Sequence, residues 1–141
     1  MSKLTINEAA VNGYTHVYTA DFNDLIAIGN GGQATIAVVP AGAAVELVTV
    51  LEKTAFVGTT SLVIDIGTTG GDPDEYIDAL DVDAMTVPVS NTGDVFTTTQ
   101  SQAVGVAADT PVLLEVTDAA ITSATAGEIV VGLRIADLSQ F

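Results

Sequence analysis

Apolar residues recur at every second position along the best-defined segments of the chain. In the last of these, residues 127–137, Ile129, Val131, Leu133 and Ile135 alternate with residues that are mostly smaller or polar. This period indicates a β-strand with one buried face, since a helix repeats about every 3.6 residues. The clearest strand segments are 44–52, 61–66, 111–117 and 127–137, and weaker ones are 13–19, 33–39, 85–89, 95–100 and 103–107.

Turn-forming residues separate these segments. Gly, Pro, Asn or Asp mark 29–32, 40–42, 67–71, 91–93, 109–111 and 118–127. About eight or nine short strands punctuated in this way predict an all-β chain, folded as a single-domain β-sandwich with a jelly-roll-like arrangement. We expect the sandwich to span residues 13–138, with an N-terminal arm at 1–12 and a C-terminal tail at 139–141.

One segment has the features of a helix start. Asp72 is a suitable N-cap, Pro73 suits the first helical position, and Glu75 stands three residues after the cap. The apolar residues that follow are enough to dock one or two turns on a sheet. The sequence therefore predicts a short helix near residues 73–80, in a loop between strands.

The segment 29–34, Gly-Asn-Gly-Gly-Gln-Ala, has the spacing of a dinucleotide-binding glycine loop. Such a loop must open a helix whose N-terminus holds the phosphates. Here it leads into a β-branched segment that ends at Pro40, so we predict a hairpin turn instead. The surrounding uncharged segment, 25–45, is interpreted as two strands and this turn and not as a membrane span.

The charge balance narrows the classes of partner. Three Lys and Arg residues stand against eighteen Asp and Glu, which gives a formal net charge of −15. A nucleic-acid binder neutralises phosphates with cations, and an anionic membrane surface attracts them, so we expect neither nucleic acid nor membrane as a partner. The absence of Cys excludes disulfides, thiolate nucleophiles and Cys-ligated metals.

Few residues are available for catalysis or for binding a cofactor. The acidic segment 72–83 begins Asp72-Pro-Asp74-Glu75, and these three carboxylates are the candidate calcium ligands; the segment lacks the Gly and Glu that an EF-hand needs further on. His16, predicted to share a strand face with Tyr14 and Tyr18, has no Gly-x-Ser-x-Gly serine as a partner. A solvated loop and a structural histidine are the preferred interpretations. We therefore predict no catalytic residue, no cofactor and no enzyme activity.

The chain presents in this order the segments 14–16, 19–25, 40–42, Phe56, 61–67, 71–76 and 123–138. Their order resembles that of the small β-sandwich structural proteins of tailed bacteriophages, of the capsid decoration or cement type. The resemblance covers roughly residues 13–138 and depends on the order and character of the segments, not on one invariant motif. It implies a virion protein on the outer capsid surface, made in the host cytoplasm, with itself (a homo-oligomer, with a trimer favoured) and the major capsid protein as partners.

Apolar residues beyond the needs of one small core are expected at subunit contacts. The candidate contact residues lie in the predicted arms or on the alternate faces of strands: Leu4, Ile6, Val11, Val48, Val50, Val130 and Phe141. Two alternatives remain open. One is a minor head or tail protein or a receptor-binding virion protein, and the other is a calcium-dependent extracellular adhesion or carbohydrate-binding module.

Overall fold

Two antiparallel sheets form the body of the protein in the computed structural model, which describes residues 2–3, 13–85, 89–91, 105–137 and 139. One sheet has five strands in the order β1-β2-β9-β4-β7, and the other has four in the order β3-β8-β5-β6. The elements are β1 (Ser2–Lys3), β2 (His16–Asp21), α1 (Phe22–Ile28), β3 (Gly32–Val39), β4 (Ala43–Val57), β5 (Val63–Gly67), β6 (Ile77–Asp81), β7 (Val89–Asn91), β8 (Thr110–Thr117), a 3₁₀ turn (Ile121–Ser123) and β9 (Ala126–Asp137).

Alternate residues of both sheets meet in one apolar core. Ile64 on β5, Leu114 on β8 and Leu133 on β9 are completely buried, and their neighbours two residues along each strand are also buried in the core. These are the positions that the period of two assigns to the buried face. The prediction of an all-β sandwich is therefore confirmed, and the alternation identifies its core in β5, β8 and β9.

A bulge in β4 reverses the faces predicted for the segment 44–52. Val45 pairs with Ile135 and Leu47 with Arg134, so Glu46 is an extra residue with no partner of its own. After this bulge Val48 and Val50 point into the core, where both have 0% exposure. A bulge changes the parity of a strand, and the strict alternation assumed from the sequence fails at that point.

The helix lies at a different place from the predicted one. α1 begins after Asp21, whose carboxylate accepts a hydrogen bond from Asp24 N, while the Asp24 carboxylate accepts one from Asp21 N; each distance is 3.0 Å. This reciprocal capping satisfies two donors that a helix start leaves open. Leu25 anchors the helix in the core. The prediction of a strand at the start of segment 25–45 is wrong for this reason.

The predicted helix near 73–80 is wrong. Residues 72–76 form a loop, and Ile77–Asp81 is β6, which pairs with β5 and buries Ile77 and Leu80. Glu75 does not cap a helix, because its carboxylate accepts hydrogen bonds from Thr68 N at 2.8 Å and from the hydroxyl groups of Thr68 and Thr69. The hydrogen bonds from Thr68 and Thr69 thus replace the capping box that Glu75 would have formed at the start of a helix.

The glycine loop at 29–34 joins α1 to β3, so the predicted hairpin turn is wrong although a turn is present. A dinucleotide fingerprint needs the order strand, loop, helix, and here the order is reversed. Within the described residues, no helix has both the length and the apolar character needed to cross a bilayer.

Glu52 is a buried carboxyl group on the core side of β4, with 2% exposure. Its Oε1 accepts a hydrogen bond from Phe56 N at 3.3 Å, and its Oε2 has no hydrogen-bond partner among the described residues. Burial raises the pKa of Glu52 above its ordinary value of 4.5, the Phe56 N–H partly opposes this, and the charge of Asp83 adds to it. The native state therefore binds a proton at this site more readily than the unfolded chain.

This shift predicts how stability changes with pH. The pKa of Glu52 is higher in the folded state than in the unfolded chain. Its contribution to the free energy of unfolding is therefore fully present below the unfolded pKa of 4.5 and is lost as pH rises through the folded pKa. Glu52→Gln, which cannot ionise, should raise the free energy of unfolding at neutral pH by about 1–2 kcal/mol. Urea unfolding measured from below pH 4.5 to neutral pH tests this prediction, with a substitution of the exposed Glu46, Glu46→Gln, as control. If the stability of Glu52→Gln depended on pH as that of the wild type does, Glu52 would not be the group whose pKa is raised.

Candidate interaction surface

The outward face of the five-stranded sheet carries a shallow apolar cavity of about 270 Å³, here called the Gly132 hollow. Gly132 lies at its centre, paired with Val17 of β2 on one side and with Thr49 of β4 on the other. The residues that line the hollow are Tyr14, Val17, Thr49, Leu51, Val130 and Gly132. Five of these six side-chain positions come from three adjacent strands, so the floor of the hollow is rigid sheet.

The absence of a side chain at Gly132 creates the hollow. A Cβ built at this position would lie 2.7 and 2.8 Å from two ring carbons of Tyr14, which is closer than a Cβ atom approaches another heavy atom in proteins. Tyr14 therefore lies directly over the backbone of β9. Glycine is unfavourable inside a strand, and its presence commonly marks such a close approach. It is also the signal in the sequence that could have identified this site.

Ion pairs flank the hollow at both ends of β9. Arg134 Nε lies 3.1 Å from Glu46 Oε2 at one end, and Lys53 Nζ lies 3.3 Å from Glu128 Oε1 at the other. Both pairs are solvent-exposed, so each contributes little to the stability of the fold. Lys3 lies in β1 of the same sheet, and thus every cation of the chain belongs to this sheet.

The other sheet presents an acidic face. Asp65 on β5 and Glu115 on β8 are register partners, and Gln33 Nε2 donates to Glu115 Oε2 at 2.6 Å. Burial raises the pKa of Asp65; the hydrogen bond from Ala79 N opposes this, and the charges of Glu115, Asp78 and Asp72 add to it. The strands of this sheet contain no Lys or Arg. The two outward faces of the sandwich therefore differ sharply in charge.

The candidate calcium ligands do not converge on a metal site. Asp72 is exposed and Asp74 is half-buried, while Glu75 holds the Thr68–Thr69 turn. Burial alone would raise the pKa of Glu75, but the hydrogen bonds from Thr69 and Thr68 outweigh it and the pKa is lowered. Among the described residues no three His, Asp or Glu side chains are grouped closely enough to hold a metal ion.

His16 belongs to a hydrogen-bond network at the start of β2. Its Nδ1 lies 2.9 Å from Thr15 Oγ1, which also accepts a hydrogen bond from Ile135 N at 2.9 Å. Tyr14 precedes the strand and lies on the outer face, whereas Tyr18 is buried in the core. The prediction that Tyr14, His16 and Tyr18 share one face is therefore wrong, since the regular strand begins only at His16.

The predicted contact residues fall into three groups. Val130 lines the Gly132 hollow. Val48 and Val50 are core residues with 0% exposure, so the prediction that they contact a neighbour is wrong; the bulge at Glu46 turned them inward, and Thr49 and Leu51 occupy the outer face instead. Leu4, Ile6, Val11 and Phe141 lie outside the described residues.

Comparison with known proteins gives one structural likeness to report. No protein-family model and no curated protein matches the chain. A solved structure named "Cyanophage Pam1 capsid asymmetric unit" is similar over 83% of this chain and 79% of that chain, with 21% sequence identity and a TM-score of 0.49.

Proposed function

We propose that the chain is a non-enzymatic structural protein of a tailed-bacteriophage virion, which binds the outside of the capsid lattice and stabilises it. The resemblance of the segment order to decoration proteins motivates the proposal, and the two faces of the sandwich support it. In this role the protein is made in the host cytoplasm and added to the capsid surface. Its partners are the major capsid protein and further copies of itself, with a trimer favoured by the resemblance.

The observation that carries the proposal is the division of charge between the two faces. The face around the Gly132 hollow is apolar at its centre and has charges of both signs at its rim, a composition that suits a protein contact. The opposite face offers Asp65, Glu115 and their acidic neighbours. Such a surface suits solvent and would be repelled by packaged DNA.

This division supports one orientation on the capsid. The five-stranded sheet faces the protein lattice, and the acidic four-stranded sheet faces outward. A net charge of −15 also keeps the free protein soluble before assembly. A contact built on Leu51, Val130 and Tyr14 would place apolar and aromatic area at the centre of the interface, where most binding energy is found.

Reconstitution tests this function. Capsids of the source phage prepared without the protein should bind the purified chain, and their temperature of disruption should rise. Failure to bind would refute the proposal. Two further arms address the alternatives: a rise in the melting temperature of the chain with added Ca²⁺ would favour a calcium module, because a ligand that binds only the native state stabilises it. Binding of the free chain to whole host cells would favour a receptor-binding protein.

A further inference from the structure

The two sheets have four edges, and three of them are poorly suited to pairing with another strand. β1 and β7 have two and three residues. β6 carries the exposed Asp78 and Asp81, and Ala79 within it has a φ of 51°, which breaks the extended edge. Short strands, charges and local distortions are the usual devices that prevent edge-to-edge association.

β3 is different. It has eight residues, none of them charged and none of them Pro, and it pairs with β8 along one edge from Gly32 to Val39. No described strand pairs with its other edge. A bulge after Thr35 bends the strand, but the pairing with β8 resumes at Ala37. Val38 is 47% exposed, which makes it one of the two exposed large apolar side chains among the described residues.

We infer that β3 pairs with β3 of a second copy, antiparallel about a two-fold axis, so that two four-stranded sheets become one sheet of eight strands. An unpaired main-chain edge recognises an extended strand, and an uncharged edge selects an uncharged one. Every copy of the chain supplies such a strand. An identical patch on both partners is also what a closed two-fold interface requires.

The uncharged edge of β3 is the place where electrostatic repulsion between two copies is weakest. Two copies that each carry −15 repel one another over most of their surfaces, above all where the acidic faces would meet. Side-by-side pairing at β3 places Thr35 and Val38 of one copy beside uncharged residues of the other and keeps the acidic faces coplanar, not opposed. The contact goes beyond the proposed function, because it forms in the free protein without a capsid.

Cysteine trapping tests the pairing directly, since the chain has no Cys of its own. In an antiparallel pair about a two-fold axis, the residue nearest the axis faces its own copy with Cβ atoms roughly 4.5–5.5 Å apart. We place the axis at Thr35 or Val38, the two exposed residues of β3, so at least one of Thr35→Cys and Val38→Cys should form a disulfide-linked dimer under mild oxidation. Val57→Cys, on β4 and somewhat more exposed than Val38 at 54%, should not. No linked dimer from either β3 variant, or equal dimer from Val57→Cys, would overturn the inference.

The mass in solution gives a second, independent readout. By light scattering, the wild-type protein in solution should form an assembly with an even number of chains, two or six. Val38→Lys should halve that number, Thr35→Lys should do the same if Val38→Lys fails to fold, and Val57→Lys, with the same change in charge, should leave it unchanged. A monomer or a three-copy wild type would overturn β3 pairing. The three-copy result would leave the proposed capsid role intact, so the two failures are distinguishable.

Discussion

Asp118→Ala should lower the free energy of unfolding by about 3–4 kcal/mol, because several donors lose a buried charged acceptor at once. Asp118 is 1% exposed at the end of β8. Its carboxylate accepts hydrogen bonds from Thr60 N at 3.3 Å, Thr60 Oγ1 at 3.0 Å and Ala120 N at 2.9 Å. It thereby ties the turn before β5 to the turn that leads into the 3₁₀ helix.

The pH dependence of stability provides a second test of Asp118. Burial alone would raise its pKa, but the hydrogen bonds from Ala120, Thr60 and Ser61 outweigh this and the pKa is lowered from 3.8. Because the folded pKa is depressed, the stabilisation is present above pH 3.8 and is lost as pH falls toward the folded value. Asp118→Ala should lack this loss.

Urea unfolding at neutral and acidic pH measures both effects. Asp109→Ala is the matched control, since Asp109 also bonds a backbone amide, Ala41 N, at 3.0 Å but is exposed. It should change stability by less than about 1 kcal/mol. If Asp118→Ala proved as mild as Asp109→Ala, the carboxylate would not be organising these turns.

Gly32→Ala should destabilise the protein by about 2–4 kcal/mol, because the junction of α1 and β3 has no room for a methyl group. A Cβ at Gly32 would lie 1.9 Å from the Ile28 carbonyl oxygen and 2.8 Å from its carbon. These are backbone atoms of the last helical residue, so neither can rotate away. The substitution would have to separate the helix from the strand that follows it.

Thermal unfolding with Gly70→Ala as control separates this clash from a general effect of replacing glycine. A Cβ at Gly70 would meet no atom within 4 Å. Gly70→Ala should therefore be neutral or slightly stabilising, since alanine restricts the unfolded chain more than glycine does. Equal melting temperatures for the two variants would contradict the tight junction at Gly32.

The strands that the sequence predicted well are those whose alternation is uninterrupted. In β8, Val112, Leu114 and Val116 are all buried, because pairing with β3 and β5 holds the strand regular on both sides. In β4 the same alternation predicts the wrong buried face, because the residue types do not reveal the bulge at Glu46. Glu52 also occupies a core position that a carboxylate rarely takes.

The helix was missed through competition between local signals. Asp21 and Asp24 have the capping-box spacing, but the apolar residues that follow also suit a strand. Asp72 and Glu75 have the same spacing, yet Glu75 is used by the Thr68–Thr69 turn of β5, a contact that only the folded chain brings about. Whether a capping-box pattern starts a helix therefore depends on which other groups bond to its side chains in the folded protein.

The Gly132 hollow could be predicted only in part. Val130 follows from the alternation of β9, and an isolated glycine in that strand indicates a close approach of some other group. That the group is Tyr14 could not be predicted, because Tyr14 lies before β2 and outside its regular alternation. The charge difference between the two faces likewise needs the strand order, which places distant segments side by side.

A pair of matched variants can show whether the outer face of the five-stranded sheet binds the capsid. Leu51 lies in the Gly132 hollow, and Leu113 lies half-buried on the four-stranded sheet, where it pairs with Thr35 and Gly67. Binding of Leu51→Lys and Leu113→Lys to capsids that lack the protein should be compared with wild-type binding. We expect Leu51→Lys to bind at least about tenfold more weakly, the effect of losing one central contact, and Leu113→Lys to bind like the wild type. If Leu51→Lys bound like the wild type and only Leu113→Lys lost binding, the contact would lie on the four-stranded sheet and the proposed orientation would be wrong.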